Sequence, residues 1–147
     1  MRELKFRAWD FKKNRFVEND LDLYDRPNAN VGEYAIGSNG KLCFFESTEG
    51  GMETIEFDDS EIEVSWYTGL KDKNRKEIYE GDCIMELTES IGWCEKCVGW
   101  QIVGKYDNES ICHRCDGDYS LDELVDENGL LTEQVIGNIY ENPDLLQ

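Results

Sequence analysis

Histidine occurs once in the 147-residue chain, proline twice, and Lys and Arg together number 15 against 33 Asp and Glu. Each shortage excludes something. With His113 as the one imidazole, a catalytic triad built on histidine has almost nothing to draw on. Two prolines, Pro27 and Pro143, and the lack of low-complexity runs exclude a mainly disordered chain. The deficit of base leaves a formal charge of −18. Such a surface repels phosphate backbones and anionic membranes, and it suits solubility or a basic partner. No stretch approaches the roughly 18 apolar residues of a membrane span. The amino-terminal run Met1-Arg2-Glu3-Leu4-Lys5-Phe6 alternates charged and apolar residues and lacks the apolar core of a signal peptide. A cytoplasmic protein is therefore expected, with its thiols reduced.

Phosphate-loop chemistry is missing as well, because Gly50-Gly51 is not followed by Lys-Ser/Thr. Asp58-Asp59 and Asp116-Gly117-Asp118 read as solvated loop acids rather than divalent-cation sites. The sequence supplies no catalytic set, so an enzyme is not expected.

What is present is strand-forming sequence. Leu4, Phe6 and Ala8 alternate with Lys5, Arg7 and Trp9, and Arg15-Phe16-Val17 returns after a turn at residues 10–14. Residues 18–33, rich in Asn and Asp, read as loop. Tyr34-Ala35-Ile36 and Lys41-Leu42-Cys43-Phe44-Phe45 flank Gly37-Ser38-Asn39-Gly40, where Asn-Gly offers the positive φ angles of a hairpin. Further strands are predicted over 54–57, 62–67, 83–87 and 134–140. Ser120-Leu121-Asp122-Glu123 has the form of a capping box and predicts a short helix over about 121–127, ended by Asn128-Gly129. Strands outnumber helices and no βαβ rhythm occurs. The fold class is mainly β, a β-rich α+β chain with a small barrel-like core and one or two short helices.

The chemistry concentrates in four cysteines. Cys94 and Cys97 form one Cys-x-x-Cys pair, Cys112 and Cys115 a second. Two such pairs at ribbon-like spacing suit one tetrahedral zinc ion, since a tight turn presents both sulfurs of a pair to one metal. Four thiolates leave no open position for water, so the ion is structural, one per chain. The pairs resemble each other beyond sulfur. Lys96 and Arg114 precede the second cysteine of each and offset the charge of a tetrathiolate centre; Gly99 and Gly117 lie two residues beyond and allow a sharp bend. His113, inside the second pair, is expected as an exposed turn residue, with a place among the metal ligands instead of one cysteine as the alternative. Cys43 and Cys83 lie in apolar strands and read as buried hydrophobes. The only basic cluster, Lys71, Lys73, Arg75 and Lys76, reads as a solvated turn.

Three further blocks occur together and in order: residues 1–10, MRELKFRAWD; residues 67–82, YTGLKDKN through IYEGD; and residues 135–143, VIGNIYENP. In these the chain resembles the YopX family of phage proteins. The resemblance implies a β-rich phage or prophage protein of unassigned activity, with one domain over 1–147 and the cysteine segment, 92–118, as a zinc-ribbon-like insertion within it. It transfers no catalytic residues. The leading expectation is a non-catalytic accessory protein of the host bacterial cytoplasm that binds another protein, of host or phage. The alternative is a nucleic-acid-binding regulator acting through the ribbon and the 71–76 turn, against which the charge argues. Self-association through an edge strand is a further expectation.

Overall fold

The computed structural model describes residues 5–17, 32–58, 60–84, 89–106 and 109–142. It is mainly β, as the alternation predicts, and its barrel-like element is a curled half-barrel sheet. The chain separates into two compact units, residues 7–65 and residues 1–6 with 66–147.

In the 7–65 unit, strand β1 (Phe6–Asp10) pairs antiparallel with β2 (Arg15–Phe16) through Trp9 opposite Phe16. The Trp9 indole is buried edge-on against the Phe16 ring, 4.8 Å between centroids. The Asp10 carboxylate closes the turn by accepting the Lys12 and Lys13 amides at 2.9 and 3.0 Å. β3 (Gly32–Ile36), β4 (Leu42–Thr48) and β5 (Gly51–Glu56) form a meander. Gly32 and Glu33, expected in a loop, are paired in β3; the rest of that loop, 18–31, lies outside the described residues. Between β3 and β4, Gly40 at φ +81° is the sole left-handed residue, so Asn39 does not share the role expected of the Asn-Gly pair. Cys43 is buried, as predicted. β6 (Ile62–Lys71) begins in this unit.

In the other unit β6 continues and pairs with β7 (Glu77–Tyr79) across a register shift between Tyr67 and Lys71. Gly69, at φ +87°, takes up the bulge, and Thr68 fixes it by donating its hydroxyl to the Ile78 carbonyl at 2.8 Å. The 71–76 turn is more than a solvated loop. Its cations are exposed, but Asp72 is buried and accepts three amides: Asn74 at 2.8 Å, Lys76 at 2.9 Å and Val135, 63 residues away, at 2.9 Å. Those bonds hold its carboxyl below the ordinary carboxylate range; burial opposes them, and they prevail.

β8 (Asp82–Cys83) pairs with β12 (Gly137–Asn138). The final strand is thus two residues long, where seven were expected, because Asn138 turns the chain. Its carbonyl oxygen Oδ1 accepts the Tyr140 and Glu141 amides at 3.0 and 2.8 Å. Gly81 must be glycine: its φ is +87°, and a Cβ there would lie 3.0 Å from Ile139 Cγ1 and 3.1 Å from Tyr140 Cε2. Cys83 is buried, and burial pushes its thiol up to about 11. Of the strand expected over 83–87, residues 85–87 lie outside the described set.

β9 (Glu89–Cys94), β10 (Gly99–Tyr106) and β11 (Glu109–Cys112) form an antiparallel sheet. Ile91 and Ile102, paired across it, join Ile78, Ile84, Leu121 and Leu131 in one buried cluster. The cysteine segment therefore contributes to the core of this unit. The predicted helix is a single 3-10 turn, Leu121–Leu124. The Glu123 carboxylate accepts the Ser120 amide at 3.0 Å, as a capping box requires. The turn stops at Val125, whose backbone is extended; beyond it Asp126 closes a second turn by accepting the Asn128 and Leu130 amides at 2.8 and 3.0 Å. It is the only helical element among the described residues.

Candidate metal centre

Strand pairing builds the cysteine site. Cys94 ends β9 and Gly99 starts β10 opposite it, so Cys97 sits in the connecting turn. Cys112 ends β11 opposite Val103, and Cys115 lies in the turn that follows. That turn is closed by the Asp116 amide donating to the Cys112 carbonyl at 3.1 Å and the Asp118 amide donating to the His113 carbonyl at 2.9 Å. The two turns meet. Cys94 and Cys115 sulfurs are 3.6 Å apart, Cys97 and Cys112 3.9 Å, and Cys97 and Cys115 3.4 Å. All four ligand atoms lie within 4.8 Å of one another.

These separations are informative. A disulfide needs about 2.05 Å between sulfurs. A tetrahedral metal with bonds of about 2.3 Å to sulfur sets its ligands about 3.8 Å apart. Three of the six observed separations bracket that edge, and none exceeds 4.8 Å. The four cysteines can therefore hold a metal ion as they stand.

The thiols are not equivalent. The Cys97 amide points at the Cys94 sulfur and, with the neighbouring thiols, lowers Cys94 to about 7 against the opposition of burial. Cys97, beside the Cys115 sulfur, is pushed up to about 12.

Only one of the two predicted glycine bends is observed. Gly117 has φ +84°, but Gly99 is ordinary strand, and Val98 takes the left-handed position at φ +53°. Val98 is 73% exposed and β-branched, which makes this backbone costly.

His113 corrects the expectation of an exposed turn residue. It is 8% exposed, and both ring nitrogens are taken. Nε2 lies 2.8 Å from Glu89 Oε1, and Nδ1 lies 3.0 Å from Asp118 Oδ2. The Tyr119 ring stacks on it at 5.0 Å and 22°. Burial works against its charged form, but the Asp118 hydrogen bond and the Glu89 charge outweigh that and raise its pKa. No nitrogen is left for a metal. Instead the imidazole ties the second cysteine turn to the first residue of β9. Nothing in the sequence spacing points to Glu89, 24 residues from His113; Asp118 and Tyr119 were near enough to suspect but carried no motif.

A mainly β chain with a four-cysteine centre between two hairpin-like turns is the class these features define. The particular family follows from the comparison with known proteins: the model of the YopX protein family matches residues 5–147, and the chain belongs to that family. Two solved structures are similar over the full chain. Protein EF1440 from Enterococcus faecalis is 25% identical, with 100% of each chain covered and a TM-score of 0.45. Protein yopX from Bacillus subtilis is 16% identical, with 100% of this chain and 98% of that chain covered and a TM-score of 0.44. No curated protein matches. No helix among the described residues is long and apolar enough to cross a membrane.

Proposed function

We propose that Cys94, Cys97, Cys112 and Cys115 hold one structural zinc ion per chain. On this reading the protein is a non-catalytic phage or prophage accessory protein, a zinc-stabilised module that binds another protein in the host bacterial cytoplasm. The observation that carries it is the sulfur cluster: three of its six separations are 3.4 to 3.9 Å and all four sulfurs lie within 4.8 Å of one another, which suits a closed tetrahedral thiolate shell. Two features support the non-catalytic part. A closed shell has no site for water or substrate. The only histidine is committed to two carboxylates that fix it in place. The net charge of −18 favours a basic protein partner, from host or phage. Metal analysis of purified protein tests the first step: about one zinc per chain is expected, and Cys94→Ser or Cys112→Ser lowers the occupancy. Full occupancy in both variants refutes the ligand set. A pull-down from host lysate with zinc present tests the second, and recovery of nothing above background counts against it.

One observation favours a second reading, nucleic-acid binding. Lys71, Lys73, Arg75 and Lys76 are exposed on a turn that Asp72 makes rigid, and no salt bridge ties any of them down among the described residues. Binding to DNA or RNA that weakens steeply with salt supports it; no binding at low salt removes it.

A further inference from the structure

We propose that the open groove beside the cysteine turns is a docking site for a cationic protein segment that seats one apolar side chain against Trp93. The inference rests on the zinc reading above and adds to it a surface and a chemistry of partner.

The groove has a volume of about 530 Å³, enough for one or two side chains. Trp93, Val103 and Ile111 supply its apolar wall; Glu95, Lys96 and Asp116 supply its charged rim. Trp93 is 44% exposed, unusual for so large an apolar ring. Its position is nonetheless fixed. Trp100, paired with it across β9 and β10, meets it edge-on at 5.2 Å and 79°. The sheet beneath is anchored by Ile91 and Ile102 in the core, and His113 ties the second cysteine turn to β9. An exposed aromatic held rigidly before binding loses little entropy when a partner arrives, which is the character of an interface anchor.

Charge selects the occupant. Cys94, Cys112 and Cys115 line the groove, and four thiolates around one zinc ion carry a net −2. Glu95 and Asp116 add to that; Lys96 on the rim offsets one charge and Arg114, next to Cys115, a second. The groove is thus negative, on a protein of net charge −18 that draws cations from a distance. A second copy of this chain brings the same −18 and is repelled, and a phosphate backbone is repelled in the same way. The complementary ligand is a Lys- or Arg-rich segment around one aromatic or aliphatic residue.

Selection of a random displayed peptide library on the zinc-loaded protein tests this, with the affinities of the selected peptides read by fluorescence anisotropy. Selected peptides are expected to combine basic residues with an apolar one. Trp93→Ala should weaken them at least about tenfold, in line with the loss of an anchor residue. A double exchange, Glu95→Lys with Asp116→Lys, should weaken them as much and reduce the salt dependence. Both variants are expected to keep their zinc; the double exchange should keep its urea midpoint, and Trp93→Ala should lower it slightly through the lost contact with Trp100. Selection of acidic peptides, or binding that ignores Trp93, overturns the groove assignment, as does failure to select any peptide on fully zinc-loaded protein. Absence of zinc from the wild-type protein is a different failure, that of the metal reading itself.

Discussion

Replacing Asp72 by asparagine probes a side chain that joins two distant segments of the 66–147 unit. The carboxylate is buried and accepts the amides of Asn74, Lys76 and Val135 at 2.8 to 2.9 Å. Oδ1 takes the first two and Oδ2 the third. In the variant the amide oxygen can keep the first pair, but its NH2 then faces the Val135 N–H, donor against donor. One part-buried amide loses its acceptor, at about 1–3 kcal/mol, and two charge-assisted bonds become neutral ones. Removing a buried charge returns part of that. The net expected loss is about 2–3 kcal/mol. Urea unfolding of the zinc-loaded proteins measures it as a midpoint lowered by about 0.7–3 M, given slopes of about 1–3 kcal/mol/M. The pH dependence is a second constraint. The folded pKa of Asp72 lies below its ordinary 3.8, so its contribution is complete above that value and disappears as pH falls through the folded pKa. The gap between wild type and variant should thus be constant near neutrality and shrink in acid below about pH 4. Acid also protonates the thiolates, but that affects both proteins alike and cancels in the difference. A loss under about 0.5 kcal/mol, or a gap unchanged in acid, refutes the assigned role.

Three other outcomes are expected. Gly81→Ala should cost about 1–3 kcal/mol in the same urea assay, since it forces a side chain into a left-handed backbone and presses on Ile139 and Tyr140. Val98→Gly should raise stability by about 1 kcal/mol and leave the metal content unchanged, because it relieves a left-handed β-branched residue in open solvent. Chelation of the metal should raise amide exchange in the turns at 95–98 and 113–117 while the amides of Ile91 and Ile102 stay protected, because those two side chains are held by Ile78, Leu121 and Leu131 and not by the cysteines; loss of protection throughout β9 and β10 would show that metal and core are one cooperative unit.

The blocks that reveal the family are structural, which is why they announce a fold without an activity. Asp72, Gly81 and Asn138 fall within them, and each closes backbone from a distant or sharply turning segment. The β class was legible because alternation has a period of two, and turns showed through residues such as Gly40 and Gly129 that adopt left-handed φ at little cost. The cysteine cluster was legible because two Cys-x-x-Cys turns at ribbon-like spacing are the pattern that a tetrahedral metal site requires. Missed boundaries have local physical causes. The helix at 121 was cut to one turn at Val125, whose backbone is extended, and the last strand was shortened by Asn138, whose side chain competes with the backbone for its own amides.

What the sequence by itself determined, then, is a β-rich acidic chain with four cysteines placed for one metal. Tertiary structure alone decided what surrounds them. Glu89 and Asp118 converge on His113 and make it a tie between elements; Ile91 and Ile102 turn inward and fuse the cysteine segment with the core; Trp93 turns outward. The reason is that spacing along a chain encodes which groups can share a turn, whereas burial and long-range pairing depend on how separate strands come to lie side by side.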